Sequence, residues 1–305
     1  MTSFGINLSF AVKRWPEPEA WAAFVREDLD LTLVQFSFDL LEPWWPEDLT
    51  RPLAARVRSA AEANGLTLHS AFVGLAAYTY NALLHPDPAG REAAKAWYRR
   101  AIRLAAEMGA PAVGGPVGGL SVRDAARSDT RRVRYEELLE SLAELADYAK
   151  GQGLEALLVE PTPLPREIPW TVEEAQRLLA DLGETPAPIR YCLDVGHALY
   201  KPRYGQEARL EPWLAGLGEG IGLVHLQQTD GLSDSHWGFT RPGIVTPDGV
   251  ARALQVAGLG DVPLVLELFY PFELDDAQVV TDVKESVRLC KAALVASPNS
   301  RVPPA

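Results

Sequence analysis

The sequence predicts an α/β protein, a single (β/α)8 TIM barrel, and three observations carry that expectation. Short apolar runs recur eight times along the 305 residues, each followed by a longer stretch whose apolar positions have helical spacing. Eight such units joined by short returns fit right-handed crossovers between neighbouring parallel strands, and eight is the number that closes a barrel. The composition, 47% hydrophobic and 23% charged, is that of a folded chain with a sizeable core, without the bias of disordered, collagen-like or disulfide-built proteins.

In chain order the runs expected as strands are Phe4 to Leu8, Leu31 to Ser37, Leu66 to Phe72, Ala112 to Gly115, Leu154 to Glu160, Ile189 to Asp194, Ile221 to Gln227 and Val262 to Leu268. The helices expected between and after them are Glu17 to Glu27, Leu49 to Asn64, Gly90 to Met108, Val133 to Lys150, Thr171 to Leu182, Leu210 to Leu217, Pro247 to Val256 and Asp276 to Ala296. Thr171 followed by Glu174 fits a capping box, in which hydroxyl and carboxylate satisfy free backbone donors, and Gly65 after Asn64 fits a helix stop. Nothing reads as an interdomain linker. One barrel domain is therefore expected over residues 1–297, with a flexible tail over 298–305 that has little to bury.

Lys plus Arg, 29, against Asp plus Glu, 41, leaves a net charge of −12. Such a surface repels a phosphate backbone, so no nucleic-acid partner is expected, while a few placed cations still admit a small anionic substrate. Cys192 and Cys290 stand alone and form neither a disulfide framework nor a CxxC-type metal site. The opening MTSFGINLSFAVKRW lacks the basic start and long apolar run of a signal peptide, and no window approaches 18 uninterrupted apolar residues. A cytoplasmic protein with no membrane partner is the expectation; assembly as a homodimer or homotetramer stays open.

Candidate chemistry lies at the ends of the late strands. LEALLVEP ends in Glu160, IRYCLDVGH in Asp194, and VPLVLELFYP carries Glu267 near its end. Because side chains alternate along a strand, Ala156, Leu158 and Glu160 share one face. The same parity pairs Cys192 with Asp194, His225 with Gln227, and Val265 with Glu267, which aims the polar set into the C-terminal mouth. Three carboxylates converging there repel each other, and burying even one unpaired costs several kcal/mol. A cation between them resolves this, and oxygen ligands select a hard divalent ion such as Mg²⁺ or Mn²⁺, with Co²⁺ admissible. The competing reading is that these acids pair with arginines or cap the following helices.

The arrangement resembles the xylose-isomerase-like barrels, and within them the sugar phosphate isomerase/epimerase family that includes the ketose 3-epimerases. VEP at Glu160, LDVGH at Asp194 and His197, and LEL at Glu267 carry the resemblance, which runs from GINLS to the last helix. It implies one divalent ion held by Glu160, Asp194 and Glu267, with the family's His position falling on Gln227, two residues after His225. Gln227 is the preferred strand-seven ligand because its carbonyl oxygen can bind a hard ion, and His225 is the alternative. The resemblance further implies Glu160 and Glu267 as the acid/base pair and His197 as a contact to a substrate oxygen.

The implied chemistry moves a hydrogen on the carbon beside a carbonyl, which needs a base, an electrophile to stabilise the enediolate, and an acid on the opposite face if configuration is to invert. His69 and His225 share the inward parity and are candidate substrate contacts. Trp15, Trp44, Trp45 and Phe72 are candidates to wall the pocket against water. The long loop TDGLSDSHWGFTRPG offers Ser233, Ser235, His236 and Arg241, and barrels often bind phosphate around their last two strands, so a sugar phosphate is admitted beside a free sugar. The run HLQQTDGLSDSHW is similar to the tetrulose-phosphate epimerases of erythritol catabolism. The expected activity is thus metal-dependent C3 epimerisation of a small ketose or ketose phosphate. An aldose/ketose isomerase, a lyase related to inosose dehydratase and a non-catalytic sugar-binding barrel are the competitors, whereas five histidines and a net charge of −12 speak against a DNA-repair enzyme resembling endonuclease IV, whose metal cluster is held by many histidines.

Overall fold

In the computed structural model, which describes residues 3–296, eight parallel strands pair in sequential order and β1 closes on β8. The strands are β1 Phe4–Asn7, β2 Leu33–Ser37, β3 Thr67–Phe72, β4 Ala112–Gly115, β5 Ala156–Val159, β6 Ile189–Asp194, β7 Ile221–Leu226 and β8 Leu264–Leu266. Helices α1 Pro18–Ala23, α2 Glu47–Ala63, α3 Pro88–Met108, α4 Ser128–Gly151, α5 Val172–Leu182, α6 Glu211–Leu217, α7 Pro247–Val256 and α8 Asp276–Ala296 follow the strands one by one. The (β/α)8 expectation is met, and the expected flexible tail over 298–305 lies outside the described residues. No described helix is long and apolar enough to cross a membrane.

Most strands are shorter than the apolar runs suggested, and in β5 and β8 ladder pairing stops just before the polar residue at the mouth. Thus β5 ends at Val159, one residue short of Glu160, and β8 at Leu266, one short of Glu267. Alternation does the rest. Ala156, Leu158, Cys192, Leu223 and Val265 pack inside the barrel as a small buried cluster, while Leu157, Val159, Val224, Leu264 and Leu266 join the larger core between strands and helices.

Local signals behave as their physics requires, with two corrections. α2 stops at Ala63, with Gly65 at φ +64° just beyond. Thr171 Oγ1 accepts the Glu174 N–H at 3.1 Å, but the Glu174 carboxylate takes the Trp170 N–H at 3.3 Å, not that of Thr171. α1 gives way to one π-helical turn over Phe24–Asp28. Four short helices in the mouth loops, Gly74–Tyr78, Val122–Ala125, Val195–Ala198 and Lys201–Tyr204, have no periodic signature in the sequence.

Candidate active site

The late strands deliver four side chains to one point. Glu160, Asp194, His225 and Glu267 are 4%, 0%, 0% and 1% exposed, and each places a ligand-type atom within 4.8 Å of the others. His225 Nδ1 lies between the two glutamates, 2.9 Å from Glu267 Oε2 and 3.3 Å from Glu160 Oε1. Asp194 does two things at once. Its Oδ1 caps the short helix Val195–Ala198 by accepting the His197 N–H at 2.8 Å, as the competing reading required, and also accepts Gln227 Nε2 at 2.8 Å. Its Oδ2 is buried with no hydrogen-bond partner.

That orphaned oxygen, beside two buried carboxylates and an imidazole, is the donor set a divalent cation satisfies, so these residues can hold a metal. Beneath them, burial pushes the Cys192 thiol up to about 12, which keeps it neutral.

Gln227 is in the site in a different role from the one expected. Its Oε1 accepts the His236 backbone N–H at 2.6 Å, and a backbone N–H can only donate. The amide nitrogen therefore faces Asp194, and the oxygen expected to ligate is turned to the His236 backbone. His225, the alternative, belongs to the group of imidazole and carboxylate atoms that could hold an ion.

Environment splits the two glutamates. Burial, only partly offset by His225 and His197, raises Glu160 above the usual carboxylate range. Burial also pushes Glu267 upward, but His225, His236 and His197 outweigh it and hold Glu267 below that range.

Above the cluster is a cavity of about 40 Å³ whose lining includes Phe72, Tyr78, Glu160, Thr162, His197, Asp234, His236 and Glu267. His197 Nδ1 donates to the Pro161 carbonyl at 3.0 Å, and its Nε2 sits 3.3 Å from Asp234 Oδ2. His236 Nε2 is 3.0 Å from Asp234 Oδ1. Its backbone is held at φ +46°, a region non-glycine residues rarely adopt, by Gln227 on its N–H and the Phe269 N–H on its carbonyl at 3.2 Å. A larger cavity of about 470 Å³, lined by Trp44, Tyr80 and Trp97 among others, lies beside α3 and gathers no set of carboxylates.

Other expected residues are elsewhere. His69 does not line the mouth: β3 pairs with β2 as Val34 with Leu68 and Gln35 with Ser70, so His69 is the extra residue of a bulge. Ser70 takes the inward place and bonds Gln35. Arg241 is exposed, with its guanidinium over the Trp237 ring at 5.4 Å. Of the aromatics, Phe72 lines the mouth and meets the His225 ring edge-on at 5.1 Å, Trp15 stacks on Phe24, and Trp44 and Trp45 are 47% and 41% exposed.

Sequence reasoning missed Asn7, Gln35 and Ser70, which lie fully buried, and Asp234, Thr162 and Glu167 in the loops. A polar residue inside an apolar strand was the available signal for Gln35 in LVQFS. Asp234 had none, because only the folded path of its loop brings it between two histidines.

The sequence model of the xylose isomerase-like TIM barrel family matches residues 27–293, and the chain belongs to that family. Among its relatives, a protein of Rhodospirillum rubrum ATCC 11170, provisionally described as a xylose isomerase, is 42% identical. Its crystal structure superposes with a TM-score of 0.93 over 96% of this chain and 99% of that one. D-erythrulose 1-phosphate 3-epimerase of Brucella abortus (strain 2308) is 23% identical over 292 residues, covering 93% of this chain and 94% of its own. The barrel is also shared with D-psicose 3-epimerase from Clostridium cellulolyticum H10, at 16% identity and a TM-score of 0.72 over 96% and 99% of the two chains.

Proposed function

We propose that this protein is a divalent-metal-dependent 3-epimerase of a small ketose or ketose 1-phosphate. The observation that carries the reading is the placement of two buried glutamates of opposite pKa displacement, Glu160 after β5 and Glu267 after β8, on either side of the His225 imidazole nitrogen. The relative named for D-erythrulose 1-phosphate supports a four-carbon ketose phosphate as the first substrate to try.

Glu160, Asp194, His225 and Glu267 are the residues that would hold the ion. A bound Mn²⁺ or Mg²⁺ supplies Lewis-acid stabilisation of the negative charge that develops on the substrate oxygens, worth several kcal/mol. The protein's own groups move the proton. Glu267, held ionised, takes the C3 proton, and Glu160, whose protonated form burial favours, returns one from the strand-five side. In the reverse direction the two exchange roles. His197, fixed by the Pro161 carbonyl, turns Nε2 to the cavity and orients a substrate oxygen. Phe72 and Phe269 narrow the mouth and limit water around the carbanion.

The test is incubation of Mn²⁺-loaded enzyme in D₂O with D-erythrulose 1-phosphate and with four- to six-carbon ketoses and their phosphates, followed by NMR. Deuterium at C3 with the carbonyl unmoved, together with appearance of the C3 epimer, is the expected result. Carbonyl migration between C1 and C2 would instead make the enzyme an aldose/ketose isomerase. A stable dehydrated product would make it a lyase.

A further inference from the structure

The polar groups under the carboxylates form a chain with one consistent set of donors and acceptors. It starts at the Ser9 backbone N–H, which donates to Asn7 Oδ1 at 2.8 Å. The Asn7 amide is thereby turned with its nitrogen inward, where Nδ2 donates to Gln35 Oε1 at 2.6 Å and to Glu267 Oε1 at 3.1 Å. Gln35 Oε1 is then an acceptor, and Gln35 Nε2 donates to Ser70 Oγ at 3.0 Å. The same Gln35 Oε1 lies 2.6 Å from His225 Nε2. Two acceptors cannot share a hydrogen bond, so Nε2 carries the ring proton. With one ring proton fixed on Nε2, Nδ1 is the nitrogen that faces Glu160 and Glu267, and a proton held there is the one a divalent ion would displace.

We propose that Asn7 and Gln35 are positioning residues that fix the His225 tautomer and so present Nδ1 to the divalent ion; this rests on the metal-site reading given above. Metal-binding histidines are commonly backed by a carboxylate or carbonyl that fixes their orientation, and removing that partner typically weakens metal binding 10–100-fold. Here the backing group is a neutral amide, which adds no further charge beneath three carboxylates. Both residues are fully buried and approach only the far side of the ring and Glu267 Oε1, so they act through His225 and Glu267 rather than on a reacting atom.

The experiment combines long-range ¹H–¹⁵N spectra of the Mg²⁺-loaded protein, in which five histidines give few signals, with Mn²⁺ titration calorimetry of the wild type and two variants. His225 is expected to show a protonated Nε2 and an unprotonated Nδ1. Gln35→Leu should bind Mn²⁺ roughly 10–100-fold more weakly, while Gln35→Glu, which keeps an acceptor opposite Nε2, should preserve the Nε2–H signature. A proton on Nδ1 in the loaded wild type overturns the proposal, and this spectrum decides the matter even if Gln35→Leu fails to fold. Wild-type Mn²⁺ affinity in a folded Gln35→Leu also overturns it. Absence of Mn²⁺ binding by the wild type overturns the metal-site reading itself, an outcome distinct from either.

Discussion

Gly196 lies against the Gln227 amide so closely that a Cβ on Gly196 would stand 2.5 Å from Gln227 Cδ and Nε2. The contact explains why DVGH carries glycine at this position: one methyl group would drive the amide away from both Asp194 Oδ1 and the His236 N–H. Gly196→Ala is therefore expected to lower kcat/KM by roughly 10–100-fold, the range over which small displacements of supporting groups act on a catalytic site. Steady-state kinetics checks this, with the melting temperature as the control for a folded variant. Full activity would show that the Gln227 amide has no part in setting the site.

The two strand-seven candidates are separable by metal binding. His225→Ala removes a nitrogen from the ligand cluster and should abolish Mn²⁺ binding in calorimetry. Gln227→Ala removes a hydrogen bond to Asp194 and should weaken binding by about tenfold, the scale expected for an outer partner. Thermal melts provide an independent readout: hundredfold excess of Mn²⁺ over its Kd should stabilise the wild type by about 2.7 kcal/mol and leave His225→Ala unmoved. The reverse ranking would return the ligand role to Gln227.

How far the sequence revealed this site depended on how local each determinant is. Alternation along β5 and β8 suffices to aim Glu160 and Glu267 into the mouth, because strand geometry is set by adjacent residues. His69 defeated the same rule, since a bulge is a property of two strands paired together and one extra residue reverses every side chain beyond it. Gln227 faced inward as parity required, yet its role was decided by a backbone N–H nine residues on, at His236. Arg241 was read from its loop's composition, which says nothing about which side of the loop faces water. Asn7 and Gln35 acquire meaning only once the barrel closes and turns β1 and β2 toward the same interior as β7 and β8.

Glu160→Gln and Glu267→Gln keep the shape of each side chain and remove its ability to exchange a proton. Each is expected to lower kcat by roughly 10²–10⁴-fold, the usual weight of a general acid or base. The pair should also act as a unit, so the double variant loses little beyond the worse single variant. Kinetics on all three, with melts confirming the fold, provides the check. Near-wild-type turnover in either single variant would remove that residue from the proton path.

Glu167 supplies a pH-dependent readout separate from turnover. It is half-buried beside the mouth, where its carboxylate accepts Thr162 Oγ1 at 2.5 Å and the Tyr78 hydroxyl, and burial outweighs these contacts to raise it above its ordinary 4.5. An acid raised in the folded state is protonated there over a window in which the unfolded chain has already ionised. Its stabilising effect is therefore full below 4.5 and is lost as pH climbs from 4.5 through the folded-state value. Glu167→Gln cannot ionise and escapes that loss. In EDTA-treated protein, the melting temperature of Glu167→Gln relative to wild type should rise as pH climbs from 4.5 through the raised value and then level off. A difference that stays flat across that range, or falls with rising pH, would show that Glu167 ionises in the folded protein at least as readily as in water.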